Sequence, residues 1–317
     1  MAQKSHYNKP RKHKFKYKVI NWKQYNQSLK DRYDITFWIS DEIIAMWKAL
    51  NENVGRGKTQ DYSDKAIETC LIFRSLFRLP LRGTEGFMNS LKRLMNLDIS
   101  IPNFSTFSKR AKDLEMEKLI DSVAPGSYVI LDVTGLKVYG KDEWHTEKHK
   151  VKAHRTFKKL HLAIDEEFNI LASLLTDKDV ADMNGVEGIL EQINYIDTFV
   201  ADGAYDKKDV YDRIRSKFGA VNIVIPPRKD AVIKETADKQ RNKHIATINE
   251  KGRDSWEKQT NYGIRNLVEQ QMLRYKTILG NKLKSREDSR QQTEVKIACE
   301  ILNRMTSLGM PNSVKII

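Results

Sequence analysis

Cysteine is scarce in this sequence. Cys70 and Cys299 are the only two, they lie far apart, and neither belongs to a cluster with the spacing of metal ligands. Both stand in apolar helical surroundings, which predicts buried thiols and suits a reducing cytoplasm. The sequence therefore gives no support for a structural zinc site.

Long apolar stretches are also missing. There is no run of about 18 apolar residues, so we expect no transmembrane helix and no membrane partner. The basic N-terminus is not followed by an apolar segment, so we expect no signal peptide.

Acidic residues are absent from residues 1–30, whereas the whole chain of 317 residues has 56 Lys and Arg against 42 Asp and Glu, a formal charge of +14. Such an excess favours a polyanionic partner, and nucleic acid before membrane. We predict that residues 1–30 form a basic arm that neutralises phosphates and stacks on bases or sugars. A solubilising tail is the alternative. The aromatic residues that favour the arm are Tyr7, Phe15, Tyr17, Trp22 and Tyr25.

Residues 31–122 are predicted to form a helical DNA-binding domain. Ser40 or Asp41 can begin a helix that reaches residue 50, and helices are predicted over 63–79, 83–95 and 105–114. The last two resemble a helix-turn-helix, although their connection is longer than usual for that motif, and a plain helical bundle is the alternative. Residues 121–127 contain Pro and Gly and are predicted to join this domain to the next.

Residues 128–317 are predicted to form an α/β domain. The pattern favours strands over 128–139, 160–168, 170–176, 198–201 and 221–225, and helices over 182–193, 207–218, 262–276 and 293–308. This is the element order of the ribonuclease-H-like fold, a mixed five-stranded sheet with flanking helices. The polar residues 230–256 are read as a small insertion.

Three carboxylates have a special place in this order. Asp132 interrupts a buried strand, where a carboxylate costs free energy unless it is paired or holds a metal. The alternative to a metal ligand is a structural Asp that is hydrogen-bonded to its own strand end. Asp202 follows the fourth strand, which neighbours the first in such a sheet. The 262–276 helix can add Glu269. Three oxygen donors without His or Cys suit Mg²⁺ or Mn²⁺, and two such ions can drive phosphodiester chemistry.

The 262–276 helix has its own pattern. Arg265, Glu269 and Lys276 fall on one stripe, about 16 Å long at 1.5 Å per residue. A solvated helix with an i,i+4 Arg–Glu pair is the alternative reading.

The spacing of Tyr262, Arg265, Glu269 and Lys276 resembles the signature of the insertion-sequence four and five superfamily of bacterial DDE transposases, and the chain looks closest to the family-five branch. The likeness extends over nearly the whole sequence. One departure is Val133, where the family usually has Ser after the first Asp. The further matching segments are NWKQYNQSL, FRLPLRGTEGFMNSL, IPNFSTFSKR, LDVTGLKVYG, RTFKKLHLAID, ADGAYD, IPPRK and RQQTEVKIACEILNRMTSLGMP.

This resemblance implies a transposase that binds the terminal inverted repeats of its element and catalyses metal-dependent cleavage and strand transfer into target DNA. It implies that Asp132, Asp202 and Glu269 hold the ions, and that Tyr262, Arg265 and Lys276 support them and contact the DNA ends. A homodimer on DNA and a cytoplasmic, nucleoid-associated location follow as expectations. A catalytically inactive DNA-binding relative and a ribonuclease-H-fold nuclease are the alternatives.

Residues 144–161 are rich in Lys, Arg and His. We predict a basic ribbon that grips DNA beside Asp132. A solvated hairpin face and a His-rich metal site are alternatives, and His161 can equally be a core residue of its strand. The basic residues expected to contact DNA here and on the preceding strand are Lys137, Arg155, Lys158 and Lys159.

Overall fold

The computed structural model describes residues 16–49, 61–116, 119–120, 126–138 and 157–316. The described strands are β1 (Lys16–Val19), β2 (Tyr128–Val138), β3 (Phe157–Ile164), β4 (Ile170–Asp177), β5 (Thr198–Val200), β6 (Asn222–Val224), β7 (Lys282–Leu283) and β8 (Ser313–Ile316). The described helices are α1 (Trp22–Asp31), α2 (Ile35–Trp38), α3 (Asp41–Ala45), α4 (Asp64–Leu76), α5 (Leu81–Leu94), α6 (Phe104–Arg110), α7 (Gly185–Leu190), α8 (Lys208–Phe218), α9 (Lys239–Lys251), α10 (Arg253–Gln259), α11 (Asn266–Ile278) and α12 (Asp288–Ser307).

The chain divides into two compact units, and the first combines Met1–Trp38 with Met305–Ile317. In it, β1 pairs antiparallel with β8. The Arg32 guanidinium donates to the Gly309 carbonyl at 2.9 Å, which ties the segment after α1 to the residues before β8. The described residues 16–30 of the predicted arm thus comprise β1, a two-residue link and most of α1, and residues 1–15 lie outside the described part of the chain.

The second unit, Ile39–Arg304, begins with the predicted helices. The Ser63 side chain accepts a hydrogen bond from the Ala66 backbone N–H and so caps α4, and Pro80 separates α4 from α5. The helix predicted to reach residue 50 ends at Ala45 instead. The reason is Trp47, which turns into the core and donates its indole N–H to the Ser100 carbonyl at 2.7 Å. Most of the predicted joint lies outside the described residues.

The large sheet of this unit has the strand order β4-β3-β2-β5-β6. β2, β3 and β4 form an antiparallel meander, while β5 and β6 run parallel to β2. The predicted neighbourhood of the first and fourth strands is therefore confirmed by the β2–β5 pairing. The expectation of five strands was wrong by one. β2 extends well beyond the three-residue β5, and its free edge at Lys137 and Val138 pairs with β7.

Alternation along β2 gives each face of the sheet its own core. Val129 and Leu131 pack on the face covered by α7 and α8. Ile130 and Leu136 pack on the other face, against apolar residues of α11 and α12. Since successive side chains of a strand point to opposite faces, Asp132 shares the α11 face. None of the helices in the described part of the chain has the length and apolarity needed to span a membrane.

Candidate active site

Asp132, in the middle of β2, lies next to Asp202, which follows the carboxyl end of the parallel strand β5. Ile130 of β2 is the partner of Val200 of β5, so each aspartate follows that pair by two residues. Neighbouring strands are about 4.8 Å apart, which places the two aspartates next to each other. Asp202 also caps the short 3₁₀ turn Gly203–Tyr205, since its carboxylate accepts from the Ala204 backbone N–H at 2.8 Å.

Arg265 connects Asp132 with Glu269. One guanidinium nitrogen of Arg265 lies 2.8 Å from Asp132 Oδ2, and the other donates to Glu269 Oε1. Arg265 ends a 3₁₀ turn, Tyr262–Arg265, which leads directly into α11. Glu269 lies in the first turn of α11. The continuous helix predicted over 262–276 therefore starts as a 3₁₀ turn. It follows Asn261, whose left-handed backbone (φ 53°) is not helical.

The charges at this site affect one another. Burial raises the pKa of the Asp132 carboxyl, while its hydrogen bond from the Val133 backbone and the Arg265 charge oppose the rise. The negative charges of Asp202 and Glu269 raise the pKa of Asp132 further, as expected for carboxylates that share a site. Without a cation between them, three such groups would repel one another, and Arg265 supplies that cation.

Two further residues of the predicted signature face the same site. Lys276 Nζ donates to Thr134 Oγ1 at 2.6 Å, and Thr134 is two residues beyond Asp132 on β2. Burial raises the pKa of Tyr262 to about 12, the Arg265 charge opposes this, and Asp202 and Asp132 add to it. The Tyr262 hydroxyl is therefore neutral at physiological pH and can donate a hydrogen bond.

The chemistry of the donor set fits hard divalent ions, because all three side chains offer carboxylate oxygens. In the part of the chain that the structure describes, no group of three or more His, Cys, Asp or Glu is assembled to hold a metal ion. Arg265 is bonded to both Asp132 and Glu269. The Glu269 side chain is 51 % exposed, whereas that of Asp132 is 13 % exposed.

Comparison with known proteins identifies the family of this chain. Residues 124–304 match a family described as "Transposase DDE domain", and that match spans more than half of the chain. The chain belongs to the DDE transposases. Residues 30–141 match a second family with the same description. A cryo-EM structure of piggyBac transposase in a synaptic complex with hairpin DNA shares 11 % identity, covering 88 % of this chain and 81 % of that one, but its TM-score of 0.31 is too low to carry an argument.

Membership makes this transposase an enzyme of DNA transposition with DNA as its partner. The family generally uses divalent metal ions. The matched residues 124–304 contain Asp132, Asp202 and Glu269, so the candidate site lies entirely within the matched domain.

The basic residues predicted to grip DNA have different surroundings in the transposase. Lys137 is exposed on β2. Lys158 is 9 % exposed, with its ammonium 2.7 Å from Asp288 and 3.2 Å from Asp177. Burial lowers the pKa of Lys158, but its two acidic partners outweigh burial and raise it overall. Lys159 is 2.8 Å from Asp182, and Arg155 lies outside the described residues together with residues 139–156.

His161 is a core residue of the transposase. It is fully buried, and its Nε2 lies 2.9 Å from Thr176 Oγ1. Burial lowers the pKa of His161 to about 4; the Asp182 charge opposes this lowering, and the Lys159 charge adds to it. The ring is therefore neutral at physiological pH, which agrees with the core alternative and not with a cation that contacts DNA.

Sequence reasoning missed the support behind Tyr262. The Trp256 ring packs against Tyr262 with centroids 5.3 Å apart, and its indole N–H donates to His244 Nδ1 at 3.0 Å. His244 Nε2 in turn lies 2.8 Å from the Ile223 carbonyl. The region read as a polar insertion thus holds a buried aromatic anchor for the site. A single Trp in an otherwise polar helical stretch was the available signal.

Proposed function

We propose that this transposase binds the terminal inverted repeats of its insertion sequence, cleaves there, and joins the 3′ ends to target DNA. Asp132, Asp202 and Glu269 are the catalytic acids of this proposal. Tyr262, Arg265 and Lys276 bind and orient the DNA ends. The motif likeness supports a place in the insertion-sequence family-five branch.

One observation carries the proposal. Asp132 on β2 lies next to Asp202, which follows the parallel strand β5, and the guanidinium of Arg265, 133 residues from Asp132 along the chain, links Asp132 to Glu269. Burying the Asp132 carboxylate next to other acids costs free energy, which the Arg265 charge offsets in part. Carboxyl groups with a raised pKa, such as that of Asp132, concentrate at functional sites.

The strand order supports a ribonuclease-H-like fold for the catalytic domain. Three antiparallel strands are followed by two that run parallel to the first, and the candidate residues are Asp132 in the middle of β2 and Asp202 just after the end of β5. Helices α4, α5 and α6 precede this sheet, in the position proposed for the DNA-binding domain. A homodimer is proposed because two DNA ends must be brought together, and the cytoplasmic location stays a prediction.

The chain's own residues have defined tasks in this reaction. Divalent ions held by Asp132, Asp202 and Glu269 would activate the attacking water or 3′-hydroxyl and stabilise the leaving oxygen. Lys276, held at Thr134, presents a cation beside Asp132 where a phosphate oxygen can bind. Arg265 balances the carboxylates in the metal-free protein and can turn its fork to a phosphate, which it binds bidentately.

Conservative variants test the proposal. Asp132→Asn, Asp202→Asn and Glu269→Gln should each reduce cleavage and joining of inverted-repeat DNA in Mg²⁺ by about a hundredfold or more, because each removes charge that acts in the reaction. Asp209→Asn, at an exposed acid in the first turn of α8, is the matched control and should retain full activity. Full activity of any of the three variants removes that residue from the mechanism.

The same assay separates the other functions. Cleavage without joining, measured with a labelled 3′ end and a target plasmid, would identify a nuclease on this fold. Neither reaction in Mg²⁺ or Mn²⁺, together with retained binding of the repeats, would leave a DNA-binding protein without catalysis.

A further inference from the structure

A basic cleft lies at the far end of β2 from Tyr128. It is enclosed by α4, the end of α11, β7 and the middle of α12, with an empty volume of about 410 Å³ that includes its open mouth. Its charged lining residues are Arg74, Lys282, Lys284 and Glu294. Three cations therefore face a single acid.

That acid is already engaged. Glu294 Oε1 accepts from the Lys284 backbone N–H and Oε2 accepts from the Ser285 backbone N–H, both at 2.8 Å. Glu294 thus holds the chain after β7 in place. Among the described residues, the buried Lys284 Nζ and Arg74 Nε have no hydrogen-bond partner. Buried donors, and charged ones above all, nearly always have partners, so these two atoms are available to bind a ligand.

Like charges also crowd this cleft. Burial lowers the pKa of Lys284, the Arg74 charge lowers it further, Glu294 opposes them, and Arg78 adds to the lowering. Arg78 itself donates to the Thr277 and Ile278 carbonyls at 2.9 and 3.1 Å, at the end of the catalytic helix α11. An anion in the cleft would satisfy both orphan donors and relieve this repulsion.

The position of the cleft relates it to the candidate active site. Asp132, Thr134 and Leu136 occupy one face of β2, and Leu136 lines the cleft. At about 3.3 Å per residue, Leu136 is roughly 13 Å from Asp132 along the strand. This equals about four base-pair steps of one DNA strand. Lys276 at Thr134 lies between the two, so cations follow the strand from the site to the cleft.

We propose that this cleft binds a backbone phosphate of the DNA strand that enters the active site, with Lys284 Nζ and the Arg74 guanidinium as the donors. The inference deepens the proposed function and rests on it for the identity of the ligand. The recognised chemistry is a tetrahedral phosphate, which a DNA strand or free inorganic phosphate could supply.

The test is the salt dependence of binding to a short mixed-sequence duplex in metal-free buffer, where no cleavage occurs. Lys284→Met should reduce the log–log slope by about 0.9, the value for one phosphate contact. Lys284→Arg keeps a cation and should keep the slope. Lys296→Met is the matched control, because it removes the same charge from an exposed position on α12 and should leave the slope unchanged.

Thermal unfolding adds two readouts. Without phosphate, Lys284→Met should melt at or above the wild-type temperature, because it removes an unpaired buried charge. Inorganic phosphate at matched ionic strength serves as the free-ligand arm. An unchanged DNA slope overturns the proposal. If phosphate then raises the melting temperature of the wild type, the cleft is a site for free phosphate. If Lys284→Met instead melts at a lower temperature than the wild type, Lys284 is a structural residue. A reduced slope supports it even if the protein fails to join DNA, so the two proposals fail separately.

Discussion

The bond between Arg265 and Asp132 can be measured by a double-mutant cycle. The variants are Arg265→Gln, Asp132→Asn and the combination of both. Arg265→Gln leaves the buried Asp132 without this counter-ion, Asp132→Asn leaves Arg265 paired with Glu269 alone, and the double variant removes both charges. The difference between the double variant and the sum of the single variants gives the pairwise coupling energy.

The structure sets the expected size of that energy. Two unit charges about 4 Å apart attract by about 4 kcal/mol at an effective dielectric constant of about 20. The side chains of Arg265 and Asp132 are 21 % and 13 % exposed, so solvent screens them only in part. A hydrogen bond to a charged group contributes about 1.5–3 kcal/mol net. We therefore expect a coupling of about 2 kcal/mol.

Urea unfolding of the metal-free protein at neutral pH is the assay, with the same slope required for all four proteins. The pair Arg253 and Glu257 is the internal control. It has the same i,i+4 type of ion pair as Arg265 with Glu269, but its side chains are 42 % and 43 % exposed, so its coupling should be only about 0.3–0.5 kcal/mol.

Magnesium adds a second arm to this cycle. If divalent ions and Arg265 compete for Asp132, saturating Mg²⁺ should reduce the Arg265–Asp132 coupling and leave the control pair unchanged. A metal-free coupling no larger than that of Arg253 and Glu257 would refute the view that Arg265 neutralises the carboxylates. A coupling that Mg²⁺ does not alter would refute the competition.

Three further predictions concern stability. The pKa of His161 is lowered to about 4 in the folded protein, compared with about 6.5 in the unfolded chain. The stability contributed by its neutral ring is therefore fully present above pH 6.5 and is lost as the pH falls toward 4. Urea unfolding should show a loss of about 3 kcal/mol over this pH range, and His161→Gln should largely remove that loss. Gly185→Ala should destabilise the protein by about 1–3 kcal/mol, because the added Cβ would lie 2.6 Å from the His161 ring. Gly86→Ala on α5 adds its Cβ in open space and should stabilise the protein by up to about 1 kcal/mol. Thermal unfolding should therefore show changes in melting temperature of opposite sign for the two variants. Trp256→Phe leaves His244 Nδ1 without its donor and should cost about 1–3 kcal/mol in urea unfolding, and a neutral result would contradict the importance of that bond.

The strands of the large sheet could be predicted because each one is encoded by the residues within it. β-branched runs marked β2 to β6, and the order of strands and helices then fixed which strands are neighbours. The juxtaposition of Asp132 with Asp202 followed from that order alone, and the β2–β5 register bears it out. The contact between Arg265 and Glu269 was also predictable, because residues four apart in a helix are neighbours whatever the fold.

Contacts between distant side chains could not be predicted in this way. Arg265 reaches Asp132 across 133 positions, and Lys158 reaches Asp288 across 130. Nothing in the local pattern around Lys158 indicates that Asp177 and Asp288 pair with it. The orphan donors at Arg74 and Lys284 likewise become visible only once α4 packs beside β7.

The pairing of β1 with β8 sets an order of events in the cell. Ribosomes add about 5–20 residues per second, so roughly 15–60 seconds separate the synthesis of these two strands. During that interval the residues from Tyr17 to Val19 have no antiparallel partner, although the acids and cations of the candidate site are already being made. Every newly made chain therefore passes through a stage in which the strand from Tyr17 to Val19 is made but not yet paired.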